Sequence, residues 1–218
     1  VFMCIPALTA FIYHETSFSA FLIGAGICLG AGLALMSLRP SSKEMRRREA
    51  MMLTTMVWVV FSIFGMVPYL VEGSHFSVTD AFFDAVSSFT TTGMSAVPSI
   101  DALPRSFIMW RGVMQWIGGM EIILFTLAVL PMLNYQGGMQ MFNAEVTGIT
   151  HDKLRPRVSS TAKSLWLLYF SLTLMLMLLL WLAGMTEFDA ICYGLYTMST
   201  GGFATTDAGI HGYNSVLI

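Results

Sequence analysis

Two short stretches of this sequence carry residues whose types and spacing can do chemistry. Thr90-Thr-Thr-Gly93 and Ser199-Thr-Gly-Gly202 each combine hydroxyls with glycine, and each follows a short apolar segment that opens on an acidic residue. Glycine permits positive φ, which lets successive carbonyl oxygens aim at one point, and threonine hydroxyls add further oxygen ligands. A helix leading into such a turn directs its partially negative C-terminal end there, so the arrangement favours a cation. For either copy alone, a surface loop rich in Ser, Thr and Gly is the plain alternative. Other reactive groups are scattered. Cys4, Cys28 and Cys192 show no metal or redox spacing and read as small core residues, and the four histidines are isolated. With no cluster of catalytic side chains, the chain does not read as an enzyme.

The two stretches belong to a repeat. Ser77 and Thr186, Asp80 and Asp189, and Gly93 and Gly202 are each 109 residues apart, and Ser77–Ser95 aligns with Thr186–Ala204 without a gap. Each copy begins hydroxyl-x-x-Asp, a capping-box-like start for a short helix. Repeated membrane units place sites at their pseudo-symmetric interface. Two copies in register therefore favour an ion filter over two unrelated loops.

The elements that must position these turns are membrane spans. Of 218 residues 56% are hydrophobic and 11% charged, against roughly 25% charged in soluble domains. Apolar runs of about 20 residues, enough to cross a bilayer, extend over Phe18–Leu38, Ala50–Val71, Phe107–Leu133 and Ser164–Met185. The run Val1–Ile12 is too short to span; it lacks a basic start and a cleavage-like site, and reads as a helix entered midway in a fragment. Gly24, Gly26, Gly30 and Gly32 lack the spacing of a dinucleotide fingerprint and read as small residues that let membrane helices approach. Basic residues cluster in Arg39–Arg48 and Lys153–Lys163. Basic loops stay in the cytoplasm, so an even number of crossings separates the clusters. The segment Asp80–Phe89, ten residues and about 15 Å of helix, then cannot cross. It enters the membrane only as a re-entrant piece shielded by protein. The fold class expected is an all-α membrane protein of spans alternating with re-entrant pore helices and filter loops. No basic stripe with interleaved aromatics suggests nucleic acid.

Span, short helix, Thr-Thr-Thr-Gly turn and second span resemble the repeat unit of the Trk/Ktr/HKT potassium transporters. The stretches Thr79–Phe83, Thr90–Gly93, Gln115–Met120, Gly137–Gln140, Lys153–Arg157, Thr161–Lys163 and Gly201–Phe203 are similar to the bacterial Trk-type pore subunits. The resemblance covers essentially the whole chain. It implies four such repeats around one pore, each giving a filter strand whose backbone carbonyls replace the hydration shell of potassium, the transported ion. Carried over by position, the filter residues are Thr91, Thr92 and Gly93, flanked by Thr90 and Met94, and Thr200, Gly201 and Gly202, flanked by Ser199 and Phe203. It also implies a homodimer in the bacterial inner membrane, in contact with lipid, and a TrkA-like cytosolic nucleotide-binding regulatory subunit. The division that follows is 1–49 for N-terminal helices and a basic cytoplasmic loop, 50–133 for a complete repeat, 134–163 for a cytoplasmic connection, and 164–218 for a second repeat cut after its filter. Repeats three and four, with the family's gating loop and pore-facing basic residue, are absent, so this fragment is not expected to conduct alone.

One position departs from the family pattern. Glu121 stands where Gly-Gly-Met-Gly would place glycine, and reads either as a cation-pathway or pairing group or as a substitution tolerated near water or a neighbouring helix. Arg105 and Arg111 read as anchors or partners of Asp101 rather than ion contacts. The five tryptophans fit interfacial belts or helix packing, and the eighteen methionines fit packing or lipid. Lys153–Arg157 is a candidate docking segment for a cytosolic regulator, although topology alone accounts for a basic loop. The rival function is a secondary transporter of another solute, binding at the re-entrant segments. Such carriers are commonly built from inverted repeats, whereas these two units run in the same orientation.

Overall fold

The computed structural model describes residues 2–37, 47–73, 76–134 and 158–215, which are helical and contain no strand. The helices are α1 (Cys4–Ile12), α2 (Phe18–Ser37), α3 (Arg47–Gly65), α4 (Val67–Glu72), α5 (Val78–Phe89), α6 (Arg105–Asn134), α7 (Val158–Leu182) and α8 (Glu187–Met198), followed by a 3₁₀ turn at Gly209–Tyr213. The residues of the regulator-docking segment Lys153–Arg157, the Gly137–Gln140 stretch and most of the basic segment Arg39–Arg48 lie outside the described residues.

Among the described residues, three stretches are long and apolar enough to cross a membrane: Phe18–Ser37, Thr55–Glu72 and Ala162–Leu182. Only 17%, 22% and 11% of their residues are buried by the rest of the chain. Leu33, Met36, Leu167 and Leu182 stand out from these helices, each more than two-thirds exposed. Apolar surface on this scale is unfavourable in water and is matched by lipid. Helix α6 is the opposite case. Residues 106–116 are buried without interruption, because α1, α5, α7 and α8 all pack on it. At 30 residues, about 45 Å long, it is the axis of the structure.

The expected span Ala50–Val71 is broken. Helix α3 stops at Gly65 and α4 begins at Val67 with Pro68 in its first turn. Proline has no N–H to continue the helical ladder and its ring crowds the preceding turn. The Trp110 indole of α6 donates to the Gly65 carbonyl at this break (3.0 Å). Gly73, left-handed at φ 69°, then closes α4. Among the glycines of α2, Gly24 alone meets another helix: a Cβ there would lie 3.2 Å from Pro68. Among the described residues, nothing comes within 4 Å of a Cβ placed on Gly26, Gly30 or Gly32. Close approach within the described residues therefore accounts for Gly24.

The start of α6 is capped from a distance. Glu15, in the turn between α1 and α2, accepts the Arg105 and Ser106 amides at 2.7 and 3.2 Å. A carboxylate there satisfies orphan donors and suits the positive end of the dipole.

Candidate filter turns

Helices α5 and α8 are built alike. Each has 12 residues, about 18 Å, too short to span the ~30 Å hydrocarbon core. Ser77 accepts the Asp80 amide and Thr186 accepts the Asp189 amide, both at 3.2 Å. The same hydroxyls donate to the Asp80 and Asp189 carboxylates, both at 2.7 Å. The hydroxyl-x-x-Asp pattern thus forms one cap twice.

The C-terminal ends are also the same structure. After α5, Thr91 N–H bonds to Ser88 O (3.1 Å) and Thr92 N–H to Ser87 O (2.9 Å). After α8, Thr200 N–H bonds to Thr197 O (3.0 Å) and Gly201 N–H to Tyr196 O (2.9 Å). This paired closure is the Schellman motif, and it forces the residue after the cap into the left-handed region. Glycine usually sits there. Here it is threonine, at φ 55° for Thr91 and 56° for Thr200. A β-branched residue in that region is a genuine outlier, and the conformation disfavours L-residues by about 1–2 kcal/mol. Strain of this kind clusters at functional sites, and here it is held identically in two places, which makes Thr91 and Thr200 candidates. Two residues on, Gly93 (φ 73°) and Gly202 (φ 81°) are left-handed again, while Thr92 and Gly201 between them are not. Alternation of hand along a strand turns successive carbonyls toward the same side.

The turns meet. A Cβ added to Gly93 would overlap the Gly201 carbonyl oxygen, so the two backbones touch where only hydrogen fits. Both turns rest on α6. A Cβ on Gly118 would overlap the Phe89 carbonyl at the end of α5, and one on Gly119 would lie 3.1 Å from Ser199 Cα at the end of α8. The adjacent glycines of Gln115–Met120 are thus the seats of the two short helices, a role visible in the sequence only as small residues inside an apolar helix. Ser87 clasps the strand leaving the first turn, donating to Met94 O (2.6 Å) and accepting its N–H (2.8 Å). Thr90, Thr92, Met94, Thr200 and Gly202 are exposed, Thr91 and Gly93 are half-buried, and Ser199, Gly201 and Phe203 are buried. A cavity of about 430 Å³ opens beside the second turn, lined by Tyr196, Thr200, Gly202 and Ile210 among others. A larger one, about 540 Å³, lies at the far end of α8 around Asp189 and Arg105.

A buried polar cluster stands behind the turns. Arg111 of α6 donates Nε to Asp84 Oδ2 of α5 at 2.8 Å and pairs Nη2 with Oδ1. Tyr69 of α4 donates to the same carboxylate at 3.0 Å. Arg111 also bonds Ser95, beyond the first turn, and lies 4.6 Å from the ring of Phe203, beyond the second. The partner expected from the sequence was Asp101; the structure corrects this. Asp101 instead accepts the Asp207 amide at 3.2 Å, and Arg105 stacks over Tyr13 (4.4 Å) and Phe188. Glu121 is half-buried, and its Oε2 has no hydrogen-bond partner among the described residues. Of the tryptophans, Trp110 and Trp116 serve packing, the latter donating to Thr173 of α7 at 2.9 Å. Cys192 is buried and Cys4 exposed; both are free thiols.

The loops beyond the turns are tied as well. Asp207 accepts from Ser99 Oγ and from the Ile100 amide, each at 2.7 Å. The Ser99 hydroxyl, seconded by that amide, holds the Asp207 carboxyl below its ordinary value. A depressed carboxylate contributes stability above the unfolded value near 3.9 and loses it as pH falls through the lower folded value. The tie is therefore expected to hold from pH 7 to 5 and to open below about pH 4. Hydrogen exchange at the Ile100 amide across that range measures this, and Asp207→Asn is expected to weaken protection already at pH 7.

Membrane-length helices alternating with capped half-length helices, each ending in a matched glycine turn, define an all-α membrane protein of the re-entrant pore-helix class. The sequence profile of the TrkH family, described as cation transport protein, matches residues 17–218, and the chain belongs to that family. The Trk system potassium uptake protein TrkH of Escherichia coli (strain K12) is 40% identical over 219 residues, covering 99% of this chain and 45% of its own length. TrkG of the same organism, also named a Trk system potassium uptake protein, is 35% identical over 217 residues, covering 98% and 44%. The crystal structure of the potassium transporter TrkH from Vibrio parahaemolyticus superposes with a TM-score of 0.84 at 35% identity, covering 99% of this chain and 43% of that one. The chain spans less than half the length of these relatives.

Proposed function

We propose that this chain contributes two filter strands to a potassium uptake protein of the bacterial inner membrane. Thr91, Thr92 and Gly93 form the first strand and Thr200, Gly201 and Gly202 the second, with Thr90, Met94, Ser199 and Phe203 flanking them. The observation that carries the reading is the contact of Gly93 with the Gly201 carbonyl between two strands of identical alternating hand. Carbonyl oxygens presented in this way compensate the dehydration of a monovalent cation, and selectivity follows from their number and field strength. Potassium is the ion because the relatives similar over this whole chain are named potassium uptake proteins.

In the same reading, 50–133 is one repeat and 164–218 the start of another. Residues 1–49 are N-terminal transmembrane helices and a basic cytoplasmic loop, and 134–163 is a cytoplasmic connection. Assembly as a homodimer with a TrkA-like cytosolic subunit belongs to this proposal and comes from the family resemblance. The test is rubidium uptake with sodium competition, in the full-length protein, for Gly202→Ser. A Cβ at Gly202 meets nothing within 4 Å, so only the backbone hand is disturbed. At about 1–2 kcal/mol, the expected result is a roughly tenfold loss of rubidium preference over sodium with normal protein levels. Unchanged preference would contradict the filter assignment.

A further inference from the structure

Gln115 is a buried polar side chain inside an otherwise apolar stretch of α6. It lies one turn beyond Arg111 on the same face of α6, its exposure is 0%, and neither Oε1 nor Nε2 has a hydrogen-bond partner among the described residues. Arg111 Nη1 is buried and unpartnered beside it in sequence register. A buried amide without partners is costly, and a leucine or methionine would fill the same volume in an apolar helix without that cost. The location gives the reason. A Cβ on Gly201 would overlap the Gln115 carboxamide, while the Gly201 carbonyl on the other side abuts Gly93. The Gly201 peptide is thus held between the Gln115 amide and the opposing turn.

Building on the filter reading, we infer that Gln115 is a positioning residue for ion selectivity. Its carboxamide wedges the second turn against the first, and its uncommitted N–H and C=O groups serve the turn backbone as that backbone adjusts to an ion. The side chain acts through Gly201 and does not itself contact the ion. A filter strand that changes its carbonyl directions must exchange hydrogen-bond partners, and Gln115 is a polar side chain packed directly on Gly201. Bulk alone accounts for the wedge; the polar atoms account for why the residue is glutamine.

The experiment is rubidium uptake in the full-length protein, reading KM, maximal rate and sodium competition for Gln115→Leu, Gln115→Glu and Gly202→Ser at matched membrane levels. Leucine keeps the bulk and removes the polar atoms; glutamate keeps the shape and the acceptor. The expected result is a fivefold or greater loss of rubidium preference over sodium for Gln115→Leu, with maximal rate changed less than twofold and a smaller loss for Gln115→Glu. A merely structural role would lower maximal rate with protein amount and leave the preference unmoved, and that result overturns the inference. Should Gly202→Ser shift the preference while Gln115→Leu does not, the role of Gln115 fails and the filter stands. Should neither shift it, the filter reading itself has failed.

Discussion

Gly93→Ser is expected to cost the full-length protein more ion discrimination than Gly202→Ser, by about another factor of ten. Both glycines are left-handed, so both substitutions meet the backbone term of about 1–2 kcal/mol, about tenfold in an equilibrium at 1.4 kcal/mol per decade. They differ in surroundings. At Gly202 a side chain projects into open space, whereas at Gly93 it overlaps the carbonyl oxygen of Gly201. Backbone cannot step aside as a flexible side chain can, and overpacking at a rigid contact adds roughly 1–3 kcal/mol. The turns must part, and the carbonyl of Gly201 must turn with them. Rubidium uptake with sodium competition for the two variants, at equal membrane levels, gives the comparison. Equal effects would mean that the contact between the turns does not shape the filter.

The second large effect is on folding. Arg111→Ala is expected to reduce the yield of folded protein severely, because Asp84 would remain buried as an unpaired charge. Breaking such a pair from one side destabilises by about 3–5 kcal/mol, a large share of the 5–15 kcal/mol that holds a typical domain folded. The pair also ties α5 to α6 and reaches Ser95 and Phe203, so both turns lose their backing together. Replacing the whole cluster tells a different story. In Arg111→Met, Asp84→Leu, Tyr69→Phe no polar atom of the trio is left stranded, and most of the thermal stability is expected to return. Ion selectivity is not expected to return with it, since the ties to Ser95 and Phe203 are gone. Melting temperature in detergent, with uptake measured on the same variants, separates the two roles. A wild-type melting temperature for Arg111→Ala would show that the pair does not hold the helices.

Much of this was legible from counting. The half-length of α5 follows from an apolar stretch too short to cross, its start from Ser77 and Asp80, and its match to α8 from the constant spacing of the two copies. The positive φ of Gly93 and Gly202 is what glycine at the end of a short helix suggests. The left-handed Thr91 and Thr200 were not legible, since threonine is among the residues least suited to that region; the Schellman closure imposes it regardless of side chain. Pro68 signalled the break between α3 and α4, yet the surrounding apolar run is continuous enough to read through it. The partner of Arg111 was hidden for another reason. Asp84 is 27 residues away and comes near only because α5 folds back onto α6, whereas Asp101 is merely near in the chain. Gln115 opens a stretch that carries the family resemblance, yet nothing local shows its role; its position behind Gly201 exists only once the second repeat has docked.

Peptide oxygens of the two touching turns are expected to ligate a monovalent cation at one site that both turns face. Rubidium-soaked crystals of the full-length protein, with anomalous scattering recorded at the rubidium edge, test it most directly. Anomalous density is expected beside residues 91–93 and 200–202, surrounded by backbone carbonyls. Rubidium found only at carboxylates such as Glu121 or Asp189, with none beside residues 91–93 and 200–202, would contradict it.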